Sequence, residues 1–249
     1  MIIGICGLAG SGKSTVADFL VRDHQFVSVA LADPLKRICR DVFDFTDEQL
    51  WGPSAERNKP DHRYPRFTVN PMTIAKDVKG DRVGEYRDTP TGREFVPLYL
   101  TPRHALQQLG TEWGRNCYPN VWVDYALRVA TALLSKDPII RPTYSAQRGL
   151  NYTSIEAAGR RPENGGEVAG VVISDVRFLN EVAAILKAGG EIWKVERPGA
   201  GLQGAAGQHV SEQELQVIPA KKITAILDND QTLDHLRNLV GLFLERSKA

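Results

Sequence analysis

Hydrophobic and polar positions along this chain switch between two periods, and the switches outline its elements. Ile2-Ile3-Gly4-Ile5-Cys6 is a continuous apolar run of strand length, and from Ser14 to Arg22 the residues Val16, Phe19 and Leu20 fall on one helical face. Phe26 to Leu31 alternates like a second strand. Asp33-Pro34 places an N-cap residue before a proline at the first helical position, which predicts a helix to about Phe43. Thr46 and Gln49 have the spacing of a capping box for another helix. Thr101 caps a predicted helix from Pro102 to about Arg115, in which Leu106, Leu109 and Trp113 take core positions. Pro119 opens a further helix through Leu134, with Tyr125, Val129, Ala132 and Leu133 on its buried side.

The same rhythm returns in the last third of the chain. Gly170 to Ser174 reads as a buried strand ending at Asp175; Phe178, Val182, Ile185 and Leu186 mark a helix that Gly189-Gly190 stops. Glu191 to Glu196 and Ile223 to Leu227 are further strands, and the final helix carries Leu233, Leu236, Leu239, Val240, Phe243 and Leu244. Strands separated by helices predict an α/β fold with a parallel five-stranded sheet and helices on both faces.

Two stretches break the pattern. From Gly52 to Leu100, prolines, glycines and basic residues are interleaved with seven acids, and Asp88 to Arg93 has the composition of a hairpin end. From 136 to 169 the chain is rich in Pro, Gly and Arg and has little periodicity. The expectation is a single domain over 1–249, with an inserted lobe at about 46–100 and a flexible segment at about 136–169.

Composition narrows the class. The 249 residues are 42% apolar and 24% charged with a net charge of +1, which is ordinary for a globular protein and offers no whole-chain case for nucleic acid or an anionic membrane. The three cysteines, Cys6, Cys39 and Cys117, are far apart and lack metal-ligand spacing, which points to reduced structural thiols. No run reaches the length of a membrane span, and the first residues read as a strand rather than a signal peptide. The expected compartment is the cytoplasm.

The chemistry concentrates at Gly7-Leu8-Ala9-Gly10-Ser11-Gly12-Lys13-Ser14, which fits the phosphate-binding pattern Gly-x-x-x-x-Gly-Lys-Ser/Thr between a predicted strand and a predicted helix. Backbone N–H groups from Gly10, Ser11, Gly12, Lys13, Ser14 and Thr15 are expected to surround a polyphosphate beside the positive end of the helix. Lys13 would reach the β- and γ-phosphates and Ser14 would offer its hydroxyl to magnesium. Ligands of open α/β sheets gather at the carboxyl ends of the strands. Asp33 and Lys36, Asp175 and Arg177, and Arg197 all follow predicted strands there. Asp175 suits a magnesium-organising acid behind an apolar run, the alternative being a helix N-cap. Glu181, six residues further on, is expected past the helix start and outside the cap. Arg103, Arg115 and Arg177 each offer a planar fork for a phosphoryl group, the alternative for any one alone being a surface ion pair. His209 beside a glycine-rich loop is left out of the site. These features imply a P-loop phosphotransferase. A kinase fits better than a GTPase, because no Asn/Thr-Lys-x-Asp guanine-reading motif is present.

Several segments together resemble the deoxynucleoside monophosphate kinases of tailed bacteriophages. They are the P-loop, Leu31-Ala32-Asp33-Pro34-Leu35-Lys36, Thr101-Pro102-Arg103, Leu109-Gly110-Thr111-Glu112-Trp113-Gly114-Arg115, Trp122 and Ile173 to Glu181. His209-Val210-Ser211-Glu212 and the strand-helix ending match as well. The resemblance implies a nucleoside monophosphate kinase fold whose inserted lobe binds the acceptor. It implies ATP with Mg2+ as phosphoryl donor and a deoxynucleoside monophosphate as acceptor, with neither nucleic acid nor membrane as partner and a homodimer left open. For a phage protein the compartment is the host cytoplasm. It assigns Asp175 and Glu181 to the catalytic centre and Arg103 and Trp122 to the monophosphate side; the reading of the residues themselves adds Lys13 and Arg177 to the catalytic centre, Ser14 and Asp175 to the metal, and Lys36 and Arg115 to the acceptor. Some phage members carry Asp after the P-loop lysine, where this chain has Ser14. Two other functions fit the residues: a P-loop kinase for another small acceptor, such as dephospho-coenzyme A, and a protein that uses ATP as a switch.

Overall fold

The computed structural model describes residues 1–65, 75–76, 83–89, 92–97, 99–147, 149–157, 159–163, 165–201, 214–215 and 217–248. The chain opens with β1 (Ile2–Cys6), α1 (Lys13–His24), β2 (Phe26–Val29) and α2 (Asp33–Phe43). Two short helices, α3 (Asp47–Trp51) and α4 (Ser54–Asn58), precede the strands β3 (Asp61–Pro65), β4 (Ala75–Lys76), β5 (Val83–Thr89), β6 (Gly92–Pro97) and β7 (Tyr99–Leu100). Helix α5 (Pro102–Gln107) runs into a π-helix, Gln108–Arg115, and is followed by α6 (Val121–Ser135). The rest comprises β8 (Ile139–Ser145), β9 (Gly149–Ile155), β10 (Gly170–Ile173), α7 (Leu179–Lys187), β11 (Glu191–Glu196), β12 (Ala225–Asp228) and α8 (Leu233–Lys248).

Five strands form the central sheet in the order β12-β11-β1-β10-β2, and each neighbouring pair is parallel. All residues of β1 and β10 are buried, as expected of strands covered on both faces. Helices α1 and α8 pack together on one side, α6 and α7 on the other. Ile3 and Ile5 of β1 join Val16, Leu20, Trp193, Leu227, Leu236 and Val240 in one core cluster. Gly4 lies between them on the side of α7: a Cβ there would stand 2.8 Å from Ile185 Cδ1, so any larger residue would require that side chain to shift.

The chain divides into two compact units, one of residues 1–33 and 118–249, the other of 34–117. The first holds the five-stranded sheet and an antiparallel hairpin, β8 with β9, inside the stretch that lacked periodicity. The second has its own core of Cys39, Phe45, Leu50 and Ala105, against which Phe43, Tyr64, Leu100, Leu106 and Leu109 pack. Its β5 and β6 pair with Asp88 opposite Arg93 and Thr89 opposite Gly92, which is the hairpin expected from composition. Thr46 and Gln49 form the predicted capping box.

Three local expectations change. Strand β2 stops at Val29 rather than Leu31, because the next N–H groups go to a side chain and not to the ladder. Trp113 is 56% exposed instead of in the core. From Gln108 the helix widens to the π form, so spacing by 3.6 residues loses its phase and Gly110 and Gly114 become the buried positions. Finally, α7 begins only at Leu179, with Phe178 at the N-cap.

Candidate functional site

The segment Gly7 to Ser14 leaves the end of β1 and enters α1, as the spacing requires. Gly7, Gly10 and Gly12 have φ of 144°, 77° and 105°. Gly7 is also sterically obligatory, since a Cβ there would lie 2.4 Å from the Val195 carbonyl oxygen; one on Gly12 would lie 2.4 Å from Asn229 Nδ2 and displace that amide. Gly12 is the N-cap of α1 and supplies no side-chain acceptor, and the first turn carries no acid. No capping side chain or first-turn acid therefore competes with an anion for this helix terminus. Lys13 turns its ammonium into the loop and donates to the carbonyls of Gly7 and Leu8, both at 2.7 Å.

A cavity of about 390 Å³ opens beside the loop. Its walls include Leu8 and Ser11 from the loop, Lys194 to Pro198 at the end of β11 and just beyond it, and Asp228 and Asp230 at the end of β12. The Ser11 hydroxyl is buried and is one of the few side-chain oxygens among the described residues without a hydrogen-bond partner. An orphaned hydroxyl in a cavity wall is a group that a bound ligand would satisfy. Cys6, at the foot of the loop, is fully buried, and burial pushes its thiol up to about 11, so it is a packing residue and not a nucleophile.

On the other flank of β1 the turn after β10 is tied in by the Val176 N–H, which donates to the Ile5 carbonyl at 3.2 Å. Asp175 in that turn is not a helix cap. Its Oδ1 accepts the Leu31 N–H at 2.8 Å and its Oδ2 accepts the Ala32 N–H at 3.1 Å, joining the ends of β10 and β2. Burial raises its carboxyl above the usual range, opposed by those N–H groups and by the Arg177 guanidinium. Glu181 is only 1% exposed, and its Oε2 accepts from the N–H of Arg177 at 2.7 Å and of Phe178 at 3.0 Å. It therefore does cap α7, contrary to its expected place beyond the helix start. Glu214 accepts the Leu179 N–H at 3.1 Å, so two carboxylates serve this helix terminus. Asn180 donates to Asn120 Oδ1 and the Pro119 carbonyl, setting the start of α6 beside the start of α7. Trp122, in the first turn of α6, is 7% exposed.

The remaining sequence-derived site residues lie in the second unit. Lys36 stands over the Trp51 ring at 5.4 Å. Arg103 donates through Nε to Asn58 Oδ1 at 2.5 Å and through Nη2 to Ser54 Oγ, so its fork is oriented by α4. Arg115 ends the π-helix. His209 lies outside the described residues.

Sequence reasoning missed Asn229, which follows β12 and donates through Nδ2 to the Ser11 carbonyl at 2.8 Å. The rule that singled out Asp33 and Asp175, polar residues at carboxyl ends of strands, applies equally to Asp228-Asn229-Asp230. Gly201 was missed too: its N–H donates to the Ala9 carbonyl at 2.9 Å.

The donor set fits a magnesium ion carried mainly by phosphates and water, which needs few protein ligands. Ser14 is exposed, and each Asp175 oxygen that accepts an N–H retains a lone pair for a metal-bound water. Among the described residues no group of three or more His, Cys, Asp or Glu is placed to hold a metal, and no helix is long and apolar enough to cross a membrane.

No protein-family model matches the chain. It is similar to the crystal structure of TT1252 from Thermus thermophilus, with 18% identity and a TM-score of 0.41 over 98% of this chain and 97% of that one. It is also 27% identical over 237 residues to a protein of Acanthamoeba polyphaga mimivirus named "Putative deoxynucleotide monophosphate kinase", a match that spans 94% of this chain and 91% of the relative and supports a nucleotide-kinase role.

Proposed function

We propose that this chain transfers the γ-phosphate of ATP to a deoxynucleoside monophosphate, giving a deoxynucleoside diphosphate and ADP. The observation that carries the proposal is the near full-length similarity to the mimivirus protein, in a chain whose β1–α1 loop has the glycine geometry of an anion cradle. The N–H groups of Gly10 to Thr15 would hold the donor's phosphates, with the donor's nucleoside in the cavity lined by Leu8, Ser11, Val195 and Asp228. Lys13 would release the Gly7 and Leu8 carbonyls and turn to the β- and γ-phosphates.

Magnesium, when bound, would neutralise charge on the transferring phosphoryl group. Ser14 would hold it directly and Asp175 through water. Arg177 would stabilise the same charge, and Glu181 would hold the Arg177 backbone in place. Lys36, Arg103, Arg115 and Trp122 are assigned to the acceptor, where the forks of the arginines suit a monophosphate. The reaction would take place in the cytoplasm, a host's in the case of a phage gene.

The test is a coupled ADP-release assay across the common ribo- and deoxynucleoside monophosphates. Saturable release driven by a deoxynucleoside monophosphate supports the reading. Release driven only by dephospho-coenzyme A or a similar acceptor replaces it with another small-molecule kinase. Slow hydrolysis without acceptor dependence replaces it with an ATP switch.

A further inference from the structure

We infer that Asn229 is a positioning residue that sets the direction of a phosphate-binding N–H in the β1–α1 loop; this rests on the reading of that loop as a phosphate site. The described chain contains no cis peptide bonds. In a trans peptide the C=O and the N–H of one unit point in opposite directions. Asn229 Nδ2 holds the Ser11 carbonyl at 2.8 Å, so the N–H of the same unit, that of Gly12, is turned away from Asn229. Gly201 does the same one step earlier: its hold on the Ala9 carbonyl turns the Gly10 N–H away. Two alternate peptide planes are thus fixed from outside the loop, at the two glycines whose left-handed φ of 77° and 105° reverse the chain between them. Left unheld, a glycine-rich loop samples many orientations of these planes and must order them on binding.

The clamp is itself rigid. Asn229 N–H donates to the Glu196 carbonyl at 2.7 Å, one residue past the last β11–β12 register pair, Glu196 with Asp228. The neighbours of Asn229 face the other half of the ligand site, since Asp228 and Asp230 both line the cavity. One short segment therefore borders both the cavity and the phosphate loop, the latter through the Asn229 amide. The role demands a donor of this length: aspartate has the same shape, accepts only, and brings a negative charge to the loop.

The experiment measures binding of Mg-ATP and of inorganic tripolyphosphate by calorimetry in the parent, Asn229→Ala and Asn229→Asp, with a ligand-free melt of each. The expected result is that both variants lose about tenfold or more in affinity for both ligands, with Asn229→Asp the weaker, while the ligand-free melting temperature moves by no more than about 2 °C. Unchanged affinity in both variants of a parent that binds overturns the role of Asn229 and leaves the kinase reading standing. A parent that binds neither ligand overturns both readings. Variants that fail to fold make Asn229 a structural residue and overturn the inference as well.

Discussion

Asp175 and Leu31 are 144 residues apart in the chain, and the carboxylate of the first accepts the N–H of the second at 2.8 Å. With Ala32 on the other oxygen, this carboxylate holds the segment between β2 and α2 against the turn after β10. Asparagine has a single acceptor, so Asp175→Asn would leave the Leu31 or the Ala32 N–H facing an amide NH2. The expected loss is about 1–2 kcal/mol of stability, besides the loss of activity that a water-mediated metal role entails. Burial raises the Asp175 carboxyl above its ordinary 3.8. The folded state therefore keeps this proton longer than the unfolded chain. The contribution of Asp175 is full below about pH 3.8 and declines as pH rises through the folded value. Urea melts of parent and variant should show a larger deficit for Asp175→Asn at pH 4.5 than at pH 7 (both conditions chosen around that value).

Glu181 offers a cleaner separation of cap from charge. One oxygen, Oε2, accepts both N–H groups, and glutamine keeps such an oxygen. Glu181→Gln should melt within about 2–4 °C of the parent, whereas Glu181→Ala should fall further because the buried donors of α7 lose their acceptor. Activity lost in Glu181→Gln would then belong to the charge and not to the cap.

Lys13→Ala removes an ammonium that donates to two carbonyls of its own loop. The fold should persist, with ADP release falling by about 10³-fold in the coupled assay. Near-parental turnover by a folded variant would take the loop lysine out of the mechanism.

Arg103 spends two donors on Asn58 and Ser54, which leaves a fork held in one orientation by α4. Arg103→Lys keeps charge and loses the fork. The acceptor KM should rise about tenfold while that of ATP stays within about twofold. Unchanged constants for both substrates would reduce Arg103 to a structural tie within its unit.

Among the described residues of the second unit, Asp61 is a buried acid. The Arg63 guanidinium beside it, with further hydrogen bonds from the Arg63 backbone and Gln49, holds its carboxyl down at about 2. A depressed value means stability that is complete above about pH 3.8 and is lost as pH falls through about 2. Asp61→Asn should lower the neutral melting temperature by roughly 2–4 °C and flatten the acid limb of the stability profile.

What the amino-acid sequence determined by itself was whatever a short window can specify. Apolar runs and alternation named the strands of the parallel sheet, capping residues placed α3 and α5, and the spacing Gly7 to Ser14 located the loop whose glycines take positive φ; Asp33, expected as the cap of α2, is instead its first residue and accepts the Ala30 N–H. Each depends on neighbours a few residues away. What only the tertiary structure decided depends on partners brought from elsewhere. The Leu31 and Ala32 N–H groups end β2 because Asp175 arrives from the far end of the chain to accept them. Trp113 turns outward because the helix widens where Gly110 lies against Leu35, a shift of phase that a fixed period does not register. The β8–β9 hairpin escaped notice because its apolar face holds a proline and meets none of the core that makes alternation a reliable sign. Asn229 carried only the signal of a polar residue at a strand end, and nothing local named its partner, since the group it orients, the Ser11 carbonyl, is 218 residues earlier in the chain. Periodicity records which face an element buries; hydrogen bonds across the sheet edge, formed only after the strands have taken their order, decide how the loops at that edge are held.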